Sequence, residues 1–419
     1  MRAKKAGPAL LLAALGGLAL LAAGPRTGKA KPETATANAA AMTTSVGRPQ
    51  GQPSGPVLLM PGPSGPIAGR LAKARAEAGT NGWTKGFWFG FGIRRLMGEH
   101  SSMGWYPWGG PEAHTTLDDL ISGRKSPLEK KVAGDQAVRG TAASIPEAAR
   151  SFTARRRGDE PERAVLRDIG ILLRWAPGPA EFPADVRISN LNLPFDLEGL
   201  PFIWAGMATD AESLAYLIPL YARASRDEDK RSLLWAIGLH RDAPVVVPFV
   251  ERVLAGKEKD EVRAEAASCL GEQNDAKALD LLLKTIKADP SEEVRDQAVE
   301  ALTEMELPAA AAALISLASG GADGSVRREA VRGLADKATG ATIQALVRIG
   351  SGDKDREVRK EAIHALADLP GRSGIPYLVD LAKTNPDRDV RQEAVGAIGD
   401  VGGAEAVKIL TELARGLRR

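Results

Sequence analysis

The sequence predicts a mainly α protein, a right-handed α-solenoid of antiparallel helix pairs preceded by a small aromatic-rich α+β region. Three observations carry that prediction. A twelve-residue segment recurs at constant spacing through the C-terminal half, eight of the nineteen aromatic residues fall between Trp83 and Trp108, and the chain opens on a basic, then apolar, then Pro/Gly-rich run. A length of 419 residues allows about three modules or one long array. The balance of 26% charged and 44% hydrophobic residues belongs to a chain that buries a core. Four histidines and one cysteine exclude a disulfide framework, a cysteine-ligated zinc or iron–sulfur site, and any imidazole-rich cluster. Neither a metal nor a cofactor is therefore expected.

Residues 1–24 read as a signal peptide. Arg2, Lys4 and Lys5 precede an unbroken apolar and glycine run from Ala9 to Ala23, with small residues at its end. The run falls short of the ~20 residues that cross a bilayer, so it fits cleavage better than retention as an anchor. No cysteine follows it to carry a lipid. An exported protein of the periplasm or extracellular space is expected, with no integral membrane domain after signal removal. Residues 25–80, rich in Pro, Gly, Ala, Thr and Ser, are expected to be a disordered linker, because prolines remove amide donors and little apolar surface is offered in return.

Residues 81–199 are expected to form the α+β region. Phe87, Phe89 and Phe91 alternate with Trp88, Gly90 and Gly92, the period of a strand with one aromatic face and close backbone approach on the other. Two readings stand for this segment. One is the core of a small domain or a plug against the next module. The other is an exposed platform over 83–108, with Trp83, Trp88, Trp105 and Trp108 stacking on sugars or lying at a membrane surface. Further on, TTLDDLISG reads as a capped short helix, and Val165–Trp175 and Val186–Leu197 read as strands. The tripeptide Arg157-Gly158-Asp159 belongs to a charged loop and carries no specific meaning.

The array is expected over 200–419. DEVRAEAASCLG, EEVRDQAVEALT, GSVRREAVRGLA, REVRKEAIHALA and RDVRQEAVGAIG begin at Asp260, Glu292, Gly324, Arg356 and Arg388, 32 residues apart each time. A sixth copy starts at Glu228, and a degenerate cap precedes it. The column Val262, Val294, Val326, Val358, Val390 shares a helical face with Leu270, Leu302, Leu334, Leu366, Ile398. Between them runs the small column Ala266, Ala298, Ala330, Ala362, Ala394, which lets neighbouring helices approach to about 8–10 Å. A second periodic stretch, such as Leu279, Leu282, Ile286, follows each turn. One helix pair cannot bury its face alone, so the pairs must stack.

The pattern V-R-x-x-A-x-x-A-L with a following helix resembles HEAT repeats, in the short form also found in phycobilisome lyases. The resemblance covers 228–419 and implies an interaction scaffold, with a lyase-type HEAT enzyme or a chaperone-like cradle for a small ligand as the alternative. The upstream segments are similar, more faintly, to secreted bacterial HEAT-repeat proteins of unassigned activity.

Candidate chemistry is thin. Cys269 falls in a column of Ala301, Gly333, Ala365 and Ala397, a packing position. His364 shares a solvent column with Glu300 and Arg332, and His240 stands where other copies carry Glu272, Glu304, Asp336, Asp368 and Asp400. Paired His-Glu steps are missing from the repeats, so no catalytic residue is assigned. The column Arg231, Arg263, Arg295, Arg327, Arg359, Arg391 is expected to pair with acidic turn residues rather than with phosphate. Residues 229–419 hold 28 Lys/Arg against 32 Asp/Glu, a poor balance for nucleic acid. The expected function is a monomeric scaffold for a protein or peptide partner. By the resemblance, a stripe on each second helix should line the concave side: Arg252, Lys284, Ser316, Arg348, Asp380 and Glu412, flanked by Asp280, Gln344 and Lys383.

Overall fold

A computed structural model of the chain describes residues 56–60, 65–98, 116–122, 164–193, 195–320 and 323–416. The signal stretch 1–24, Trp105, Trp108 and the Arg157-Gly158-Asp159 tripeptide lie outside them. The N-terminal part is a five-stranded sheet of β1 (Val57–Leu59), β2 (Phe87–Gly98), β3 (Ala164–Trp175), β4 (Asp185–Asn190) and β5 (Phe202–Met207), in the order β1-β5-β2-β3-β4. β1 and β2 flank β5 in parallel, while β2, β3 and β4 are antiparallel neighbours. Helix α1 (Ile67–Thr80) covers one face and the short α2 (Leu117–Ser122) the other.

Both faces of the sheet are buried, and this explains the continuous apolar text of β2. Phe87, Phe89, Phe91 and Ile93 point to the α1 side, with Ile67, Leu71 and Ala74 against them. Trp88 points to the other side, among Leu117, Leu172, Leu197, Phe202 and Trp204. Gly90 is required by this packing, since a Cβ there would lie 2.7 Å from a Leu172 methyl and 2.8 Å from the Phe202 ring. The register between β2 and β5 shifts at Gly90/Gly92, the local kink of a bulge.

Two expected boundaries are corrected. Within the stretch read as a disordered linker, Val57–Leu59 pairs with β5 and Ile67–Thr80 is a helix. Ile67, Leu71, Ala74 and Ala78 of α1 are all buried, a helical spacing hidden among prolines and glycines. Arg70 locks this helix down: it is 4% exposed, donates to the carbonyls of Gly65, Ala205 and Met207, and pairs with Glu212 at 2.9 Å. The second correction moves the start of the array from 200 to about 210, because Phe202–Met207 is β5.

The array opens with α3 (Asp210–Tyr221), whose N-terminus carries a capping box between Thr209 and Glu212. Six helix pairs follow: α4 (Asp227–Gly238) with α5 (Ala243–Leu254), α6 (Asp260–Gly271) with α7 (Ala276–Ala288), and α8 (Glu292–Glu304) with α9 (Pro308–Ser319). Then come α10 (Gly324–Lys337) with α11 (Gly340–Gly352), α12 (Arg356–Ala367) with α13 (Ile375–Thr384), and α14 (Arg388–Val401) with α15 (Gly403–Gly416). The sheet closes the N-terminal end of this stack. Phe91 meets Tyr216 of α3 edge to face at 6.2 Å, α4 packs on β4, and one hydrophobic core runs from Ile67 to Leu413. The aromatic strand is thus the plug of the two readings above, a cover for the first repeat.

The first helices α4, α6, α8, α10, α12 and α14 pack against one another along the whole array, whereas the second helices touch their counterparts sparsely. Small residues set this closeness: a Cβ on Gly271 would lie 2.8 Å from the Ala301 carbonyl oxygen, and one on Gly238 would lie 3.0 Å from Cys269 Sγ. A stack whose elements are closer on one side curves toward that side. The first helices therefore form the inner row, and the stripe expected on the concave side belongs to the outer row.

Candidate binding surface

Every residue of the predicted stripe is exposed: Arg252, Lys284, Ser316, Arg348, Asp380 and Glu412, together with Asp280, Gln344 and Lys383. Their side chains enter no ion pair between repeats among the described residues. The stripe is a solvated outer face of mixed charge. Of the aromatic candidates, Trp88 is corrected outright, because its ring is fully buried and its Nε1 donates to the Leu197 carbonyl. Trp83 is half-buried, tilted against Phe87 at 6.1 Å.

The arginine column is structural along the array. Arg263 pairs with Asp289 at 3.0 Å, Arg295 with Asp323 at 3.1 Å, and Arg359 with Asp387 at 3.8 Å. Arg327, 4% exposed, pairs with Asp353 and donates to the Ala318 carbonyl. The same guanidinium also ties the preceding loop: Arg263 donates to Glu258 O, Arg359 to Asp353 O and Arg391 to Asn385 O, each at 2.7 Å. Arg263 and Arg359 thus join the loop before their helix to the loop one repeat on, while Arg391 ties only its own preceding loop. Arg231 departs from this, half exposed and 3.9 Å from Glu265. Burial opposes the charge on Asp289, yet the bonds from Arg263 and the Ser291 N–H outweigh it and hold that carboxyl below its usual range.

Sequence reasoning missed the outward face of the inner row. Three residues after each column valine stand Glu265, Gln297, Glu329, Glu361 and Glu393, all half-buried. Repeats are linked across this face: Arg332 donates to Glu361 at 2.7 Å while holding Glu329 at 2.7 Å, and His364 Nε2 lies 2.7 Å from Glu393. His364, read as a free solvent position, is therefore one half of a bridge. Burial raises the carboxyls of Glu265, Asp296 and Glu329 above their ordinary values. The 32-residue column was the signal that could have found this face, had the first helices been read for their outward positions as well as their buried ones.

Two further reactive side chains, Cys269 and His240, are enclosed. Cys269 is 3% exposed, donates from Sγ to the Leu234 and Glu265 carbonyls, and has its thiol pushed up by burial. His240 is fully buried. No group of three or more His, Cys, Asp or Glu suited to a metal ion occurs among the described residues.

Tandem antiparallel helix pairs sharing one core, with an inner row of close helices, define an α-solenoid repeat protein. A family model for HEAT repeats matches residues 214–303, 247–335, 311–398 and 343–416, and residues 214–416 are accordingly an array of HEAT repeats. No curated protein sequence matches it. Among solved structures, human deoxyhypusine hydroxylase in complex with glycerol is similar at 20% identity and TM-score 0.22, over 48% of this chain and 78% of that one. The CpcE and CpcF complex of phycocyanin lyase from Nostoc sp. PCC7120 is similar at 23% identity and TM-score 0.28, over 37% and 99%. Lipovitellin is similar at 13% identity and TM-score 0.35, over 57% and 31%.

Proposed function

We propose that this chain is an exported, non-catalytic scaffold that holds a protein or peptide partner against the inner row of its HEAT array. The observation that carries this reading is the cross-linked polar face of that row, where Arg332, Glu361, His364 and Glu393 are fixed in place before any partner arrives. Preorganised side chains lose little freedom on binding, so more of the contact energy reaches the complex. The outer stripe has no such links among the described residues. Enclosure of Cys269 and His240 supports a role without chemistry in the array, and the basic, apolar start of the sequence supports export.

Charge reversal tests it. Glu361→Lys with Glu393→Lys should reduce recovery of co-purifying protein from the cell envelope at least tenfold with the fold retained. Lys284→Glu with Arg348→Glu, on the outer row, should leave recovery unchanged. The reverse ranking would transfer the site to the outer stripe, and stoichiometric iron or zinc in the purified protein would contradict the non-catalytic reading.

A further inference from the structure

Strand β2, the start of α3 and the end of α4 meet at one closed point, where His240 sits. Its ring is 0% exposed. Nδ1 lies 2.9 Å from the Ala236 carbonyl and 3.2 Å from that of Ile237, both acceptors, so Nδ1 carries the single proton of the neutral ring. Nε2 is left as a buried lone pair with no hydrogen-bond partner. In the five later repeats the same position carries an exposed acid, Glu272, Glu304, Asp336, Asp368 or Asp400. The histidine is thus a departure confined to the joint between sheet and array.

The surroundings are already balanced in charge. Arg95 reaches in from β2, donates from Nε to the Leu239 carbonyl beside His240, and forms an ion pair with Asp210 of α3 at 2.8 Å. Arg241, on the turn after α4, pairs with Glu272 at the end of α6 at 3.4 Å. From the turn after α6 comes Gln273, which donates to the His240 carbonyl at 3.1 Å and adds no charge. A proton placed on Nε2 would add a third cation next to Arg95 in a closed site, with neither carboxylate free to answer it.

We propose that His240 is an acid-sensitive latch: neutral, it keeps β2, α3 and α4 closed on one another, and its protonation opens this joint while the repeats from α8 onward stay folded. The direction follows from linkage. Burial first, and Arg95 second, lower the His240 pKa from 6.5 to about 4 in the closed state. The closed form is therefore at full advantage above pH 6.5 and loses ground as pH falls toward 4, because the opened joint takes up the proton first.

Hydrogen exchange of the full chain, read by mass spectrometry and corrected for the intrinsic pH dependence of exchange, tests the latch. Between pH 7 and pH 5 the opening constant of peptides from β2 and from 210–240 should rise on the order of 20-fold, with far smaller change over 292–401. His240→Gln should flatten the rise at the joint. Should that variant fail to fold, ring nitrogen shifts of His240 in the unmodified chain should report the Nδ1–H tautomer down to pH 5. An equal rise in His240→Gln, a rise uniform along the array, or a His240 ring titrating near 6.5 would overturn the proposal.

Discussion

Single side chains divide into those that fill the repeat and those that fasten it. Cys269 stands in a column that the later repeats fill with alanine or glycine, so Cys269→Ala should cost less than about 1 kcal/mol in urea denaturation. Leu302 is fully buried between stacked helices, and Leu302→Ala should cost about 2–5 kcal/mol by leaving a cavity. Equal effects of the two would mean that the columns do not define the core. The thiol of Cys269 should react with a maleimide only as the array unfolds, since its sulfur is enclosed and its proton held by burial. At this scale much was legible in the sequence, because a residue's column states what size its position accepts: alanine and glycine at the equivalents of Cys269 announced a packing site. Arg70 was not legible. Nothing in its local sequence says that an arginine is 4% exposed, and its partners beyond Gly65 lie 135 to 142 positions away in β5 and α3.

At the scale of elements, the arginine ladder fixes the loops and offers a graded test. Arg327 is buried and doubly engaged, so Arg327→Ala should cost about 3–5 kcal/mol by stranding Asp353 and the Ala318 carbonyl. Arg231 is half exposed and poorly aligned, and Arg231→Ala should cost less than about 1 kcal/mol. Matched chemical denaturation of both variants checks the ranking, and similar losses would remove the ladder's structural role. The first helices were readable to the residue, since α6, α8, α10, α12 and α14 begin at Asp260, Glu292, Gly324, Arg356 and Arg388 as the repeat predicts. β1, α1 and β5 were missed for a physical reason. A three-residue strand has no periodicity to detect, and its stability comes from pairing with Phe202–Trp204 across the fold rather than from its own composition. The inner and outer rows were exchanged because buried columns tell which residues face a neighbour, while curvature depends on which row packs closer.

For the whole molecule, a stack held by nearest-neighbour interfaces should not unfold as one unit. The sheet covers the N-terminal repeat, whereas the last helix exposes Val407 to 64%. Hydrogen exchange should therefore be fastest in α15 and α14 and slowest around α6 and α8; uniform protection from end to end would contradict a repeat-by-repeat stack. The central claim is that the inner row is the working surface. Its most direct test is a photo-crosslinking amino acid placed singly at Gln297 and Glu329 on the inner row and at Lys284, Arg348 and Asp380 on the outer row, in cells that express the protein. The account predicts one discrete crosslinked species from the inner positions, lost on Glu361→Lys with Glu393→Lys. Crosslinks from the outer positions alone would contradict it.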